Sequence, residues 1–154
     1  DLVLNGTGVR AVAWFKGYAA GLYLASRTHA AADAVAMAGP KRIRLHLLQD
    51  APAAEFTKAV DKGVSRNTPA TELPALLERL QQFGRLVGAI GQVRKGDTVD
   101  LDLDPDRGLV LRLNGTLRGT PIPGADLYAS LLRSFIGDRP YDEKLKAGLL
   151  GRPV

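Results

Sequence analysis

At 154 residues the chain has the length of one domain with a sizeable core, and 45% hydrophobic against 24% charged residues excludes a disordered or membrane-embedded chain. The formal charge of +5 comes from 21 basic and 16 acidic residues spread along the chain, with only four Tyr, four Phe and one Trp to stack on bases. That argues against nucleic-acid binding, which needs a concentrated basic face, and fits anionic small molecules or a membrane surface. No Cys is present, so disulfides, thiol nucleophiles and thiolate metal sites are excluded. No apolar run approaches the ~20 residues of a membrane span.

The chain opens inside a strand-like stretch, so an N-terminal segment is expected to have been removed, a signal peptide being one candidate for it. Gly6, Thr7 and Gly8 read as a flexible lead into the apolar run Val9–Phe15, and a second run, Tyr18–Leu24, follows Lys16 and Gly17. Two β-prone runs around a short Gly-containing break predict an antiparallel hairpin. With the turn centred near Trp14, Arg10 and Tyr18 become cross-strand neighbours on one face. A guanidinium fork beside a phenol suits a carboxylate or phenolate guest. Two roles stay open for Arg10 at this level: holding such a guest, or pairing with an acidic side chain in the core.

Further along, Ala30 to Ala38 reads as a short helix ended by Gly39 and Pro40. Lys41 to Gln49 alternates as a strand, with Ile43, Leu45 and Leu47 on one face and Arg42, Arg44 and His46 on the other. Asp50 is placed to N-cap a helix with Pro52 in its first turn and Phe56, Ala59, Val60, Gly63 and Val64 on one stripe. Thr71 is placed to cap a longer helix whose stripe runs Leu73, Leu76, Leu77, Leu80, Phe83, Val87 and Ile90. A meander follows: Val99, Leu101 and Leu103 alternate with Asp100, Asp102 and Asp104, and Leu109 to Leu113 returns. Asn114 and Gly115 turn into a short strand, Thr116 to Thr120. Two helices close the chain, one from Asp126 to a stop at Gly137, the other from Pro140 with Tyr141, Leu145 and Leu149 inward. No repeat or linker interrupts residues 1–154, and strands, helices, strands and helices in that order predict a single α+β domain with helices over one face of an antiparallel sheet.

Several motifs fail on context. Gly6-Thr7-Gly8-Val9-Arg10-Ala11 fits the dinucleotide fingerprint by letter, but a strand follows where a helix is required. Asp100, Asp102 and Asp104 have calcium-loop spacing, yet Pro105 stands where glycine is needed and Leu111 where glutamate is, so an acidic solvent face of a strand is the better reading. His29 and His46 have no carboxylate at ligand spacing. Asn5-Gly6-Thr7 and Asn114-Gly115-Thr116 read as tight turns rather than glycosylation sites. No nucleophile elbow or phosphate loop is present, and no cofactor is implied.

The blocks Asn5-Gly6-Thr7-Gly8-Val9-Arg10, Tyr18-Ala19-Ala20-Gly21-Leu22-Tyr23-Leu24, Gly39-Pro40-Lys41-Arg42-Ile43-Arg44-Leu45 and Phe135-Ile136-Gly137-Asp138, in this order, resemble the chalcone isomerase superfamily. The likeness is strongest to its bacterial chalcone isomerase-like members and runs from Leu4 to Gly151. It implies an open-faced β-sandwich with a ligand cleft between sheet and helices, and export to the periplasm. The plant isomerases use an arginine matching Arg10, a threonine in place of Tyr18, a second threonine at Ser134, and a tyrosine, lysine and asparagine where this chain has Phe56, Ala59 and Gly63. Lys58 is displaced by one position, about 100° around a helix. The fatty-acid-binding relatives carry an arginine and a tyrosine that match Arg10 and Tyr18 and hold a carboxylate. The resemblance therefore implies non-catalytic binding of a fatty acid or similar apolar acid. The alternatives are a weak isomerase using Arg10 and an interaction domain with a vestigial cleft. Trp14, Phe56, Val60, Leu131 and Phe135 are the expected lining, and Ser134 is counted with them as a ligand-binding residue.

Overall fold

The computed structural model describes residues 1–12 and 15–153, with 11–12 and 15–16 described by their backbone alone. Strands β1 (Val3–Val12) and β2 (Phe15–Leu24) form the expected hairpin, and Arg10 lies directly opposite Tyr18. After α1 (Ala31–Ala36), strand β3 (Lys41–Leu47) pairs with β2, so that Tyr18 faces Leu47 in turn. The two-residue strands β4 (Ala51–Pro52) and β5 (Gln92–Val93) pair across helices α2 (Ala53–Asn67) and α3 (Pro74–Gly88). Strands β6 (Thr98–Asp104), β7 (Gly108–Leu113) and β8 (Thr116–Ile122) complete a six-stranded antiparallel sheet in the order β1-β2-β3-β6-β7-β8. Helices α4 (Ala125–Ile136) and α5 (Glu143–Leu149) finish the layer over its inner face.

Strand alternation decides which face is buried. Leu22, Ile43, Leu101 and Leu111 stand in one register row across four strands, and all are shielded from water. Each such side chain contributes about 1.5–3 kcal/mol on burial. Helix α4 is tied to this row by Tyr128, fully buried, whose hydroxyl donates to the Leu101 carbonyl at 2.7 Å. The β1 edge is covered by α5 through small residues: a Cβ on Gly6 would collide with the Gly148 carbonyl oxygen. Gly6-Thr7-Gly8 is thus a close-packed part of β1, not a flexible lead. Asn5 is likewise inside β1, its side chain donating to the Leu149 carbonyl at 2.8 Å and accepting from the Thr28 N–H at 2.8 Å, so no turn forms there. The Asn114–Gly115 turn forms as expected, both residues at positive φ.

Other boundaries shift for local reasons. Asp50 does not cap α2, because Ala51 and Pro52 are held extended against β5 and the Asp50 carboxylate accepts from the Lys95 N–H at 2.7 Å. An orphan donor at the start of α2 is satisfied instead by the Gly91 carbonyl, 3.0 Å from the Ala53 nitrogen. Thr71 falls in a turn, and α3 starts at Pro74, which has no N–H to be capped. Leu77 points off the α3 stripe and is 46% exposed. The terminal helix begins at Glu143 rather than at Pro140, because the Asp142 side chain caps it.

The outer face of β6 is not a solvated acidic row. Asp100 is buried under a bidentate Arg44 (2.8 and 3.1 Å), and Asp102 takes a bidentate Arg42 (2.7 and 2.8 Å) with Arg112 at 3.6 Å. Cross-strand register places these charges opposite one another, Arg42 against Asp102 and Arg44 against Asp100. Among the described residues no helix is long and apolar enough to cross a membrane, and no group of three metal-ligating side chains converges.

Candidate functional site

The inner face continues past the core to a last row, Arg10, Tyr18 and Leu47, one on each of β1, β2 and β3. Here the helices diverge from the sheet and leave a cavity of about 340 Å³. Its floor is Tyr18, Leu45, Leu47, Val99 and Leu111 on the sheet. Phe56 and Ala59 of α2, with Val87 of α3 and Ile90 just beyond it, form the roof, and Ala51, Pro52 and Val93 of the β4–β5 bridge close one side. Gln49 and Glu55 stand among the lining residues, and the Glu55 carboxylate, largely exposed, pairs with Lys58 at 3.6 Å. The wall is otherwise apolar except at Arg10 and Tyr18.

Burial holds the Tyr18 phenol well above its ordinary range; nearby Tyr141 and Asp142 push the same way and Arg10 opposes. Tyr18 is therefore neutral and a hydrogen-bond donor at physiological pH, and its hydroxyl has no hydrogen-bond partner among the described residues. Arg10 does have a protein partner. Its Nη1 lies 3.6 Å from Oδ2 of Asp142, with side chains 30% and 21% exposed. Of the two roles left open for Arg10, the acidic partner is thus present, at a partly exposed position rather than in the core.

Asp142 is held rigidly. Its Oδ1 accepts from the N–H groups of Lys144 and Leu145 at 2.8 and 3.0 Å, capping α5, so only Oδ2 faces Arg10. Next to it, the Tyr141 hydroxyl donates to the Ala59 carbonyl at 2.8 Å, and its ring meets Phe135 edge-on at 5.1 Å. Burial raises the Tyr141 phenol to about 12, a bond with Ser134 offsetting part of the rise. The close approach of this tyrosine to α2 depends on Gly63, where a Cβ would stand 2.6 Å from both the Tyr141 hydroxyl and Ser134 Oγ.

Of the residues expected from sequence, Arg10, Tyr18 and Phe56 line the cavity. Val60, Leu131 and Phe135 do not; they are buried where α2, α4 and the sheet meet. Ser134 is also in that interior and not among the lining residues, its Oγ donating to the Ser130 carbonyl at 3.2 Å. Helical periodicity marks such residues as buried without saying against what. Trp14 lies outside the described residues. Lys58 is on the exposed side of α2, as its one-position displacement implies. Sequence reasoning missed Asp142, although an aspartate just before the periodic stretch Leu145–Leu149 is an N-cap signal. The floor residues Leu45, Leu47, Val99 and Leu111 read as ordinary core because alternation does not show where the helices part from the sheet.

An apolar chamber between an antiparallel sheet and a helical layer, with one guanidinium and one phenol at its end, is the form of a small-molecule pocket in an α+β domain. Residues 1–151 match the chalcone isomerase-like family model, and the chain belongs to that family. No curated protein sequence matches it. Among solved structures it is similar to a fatty-acid binding protein of Arabidopsis thaliana, with 20% identity and a TM-score of 0.75 over 97% of this chain and 86% of that one. At that identity the likeness establishes the shared fold.

Proposed function

We propose that this protein binds a fatty acid or a similar apolar carboxylate, its tail in the cavity and its acid group held by Arg10 and Tyr18. The observation that carries the reading is the row Arg10–Tyr18–Leu47 at the end of an apolar chamber, where a charged donor and a neutral donor sit on one face. At about 340 Å³ the chamber is within the ~300–1,000 Å³ of small-molecule sites, at the small end. The phenol supplies a hydrogen bond to an anion without adding a charge, worth roughly 1.5–3 kcal/mol when the acceptor is charged. The described fatty-acid binding by the Arabidopsis thaliana protein of the same fold supports the ligand class.

Binding is favoured over catalysis by the helical roof. Of the α2 side chains at the cavity, Phe56 and Ala59 can neither transfer a proton nor orient a phenolate, and the Glu55 carboxylate is largely exposed and paired with Lys58. Mass spectrometry of organic extracts from purified protein, with calorimetric titration of a fatty acid against the alkane of equal length, tests the reading. An acyl acid in the extract and saturable binding of the acid alone are expected. Absence of both, or equal binding of acid and alkane, refutes it.

A further inference from the structure

We infer that Asp142 is a specificity-determining residue of this site, admitting head groups with one negative charge and rejecting those with two. The inference rests on the apolar-acid reading above and adds the class of head group. A guest entering from the cavity meets Arg10 from the side lined by Tyr18, while Asp142 Oδ2 faces the same guanidinium at 3.6 Å. Asp142 cannot swing away without giving up the two backbone N–H groups at the start of α5. Arg10 is therefore shared. A bound carboxylate leaves the cluster of one cation and two anions at net −1, and a phosphate monoester, dianionic above its second pKa of about 6, leaves it at net −2. Arg10 and Asp142 are also the charged groups whose fields reach the Tyr18 hydroxyl, with opposite effects.

The variant Asp142→Asn isolates the charge, because asparagine and aspartate cap helices about equally well. Decanoate, decyl sulfate, decyl phosphate and decanol are titrated into the full chain and into Asp142→Asn near pH 8, below micelle formation. The protein as it stands should take decanoate and decyl sulfate on the order of tenfold more tightly than decyl phosphate, the scale of one like-charge repulsion in a partly solvated site. Asp142→Asn should tighten decanoate on the order of tenfold, close most of the gap to decyl phosphate, and change decanol by less than about twofold. Asp142→Ser, a second neutral cap, should behave the same way. Decanoate affinity unmoved in both variants, or a preference for decyl phosphate in the unmodified chain, overturns the inference while leaving acyl binding standing. Failure of every probe to bind overturns the functional reading itself and this inference with it.

Discussion

Replacing Arg10 with alanine separates a ligand-holding arginine from a structural one. The ion pair to Asp142 is 3.6 Å long and partly exposed on both sides. Such pairs contribute about 0–1 kcal/mol, against the 3–5 kcal/mol lost when a buried pair is broken. Asp142 left behind keeps its two backbone donors and its contact with water, so it is not stranded. The ligand-free variant should therefore lose at most about 1 kcal/mol, which for a domain of this size is roughly 2–4 °C in Tm. Acyl binding should suffer more. Truncating one partner of a buried charge pair costs about 2–5 kcal/mol, and partial exposure places this site at the lower end, about 2–3 kcal/mol or roughly 30- to 150-fold in Kd. Thermal melts without ligand and calorimetric titration with decanoate give the two numbers. A melting loss of more than about 8 °C with unchanged decanoate affinity would refute the reasoning and make Arg10 a structural residue.

Three further outcomes are expected. Gly6→Ala forces a methyl into the Gly148 carbonyl and should cost about 1–3 kcal/mol by overpacking, read as a lower denaturation midpoint. Cyclisation of a simple chalcone should run no faster with protein than without it at matched pH, since Phe56 and Ala59 of α2 offer no proton-transfer group and Glu55, the α2 carboxylate at the cavity, is largely exposed and paired with Lys58; saturable acceleration lost in Arg10→Ala would contradict this. Tyr141 has its folded pKa raised by burial to about 12, above the ordinary ~10 of an unfolded tyrosine. Its neutral form is thus the stabilised one, and its contribution is whole below about pH 10 and lost as pH rises from there towards 12. Tyr18 shifts in the same direction. Melts between pH 9 and 12 should fall steeply, and Tyr141→Phe should flatten part of that fall.

Local pattern carried the hairpin and hence the heart of the site. Two apolar runs around one break set the register, and register alone puts Arg10 against Tyr18. Phe56 was within reach for the same reason, being on the stripe of a helix that had to cover the sheet. What escaped depends on contacts distant in sequence. Val60, Leu131, Phe135 and Ser134 belong to helices that bury one another as well as the sheet, and periodicity does not divide a helix face between those two partners. Asp142 meets Arg10 across 132 positions, 142 minus 10, because α5 folds back over β1 through Gly6 and Gly8. The same limit hid the charge ladder: Asp100 and Asp102 alternate as a solvated row does, and only pairing with β3 shows Arg42 and Arg44 opposite them.

The most direct test of the central claim is a crystal structure of the protein with decanoate bound. The carboxylate should lie within hydrogen-bond distance, about 2.7–3.2 Å, of both the Arg10 guanidinium and the Tyr18 hydroxyl, with the alkyl chain between Leu47 and Val99 below and Phe56 and Val87 above. An acid group at the rim beside Gln49 and Glu55, or an alkyl chain seated anywhere outside this cavity, would contradict it.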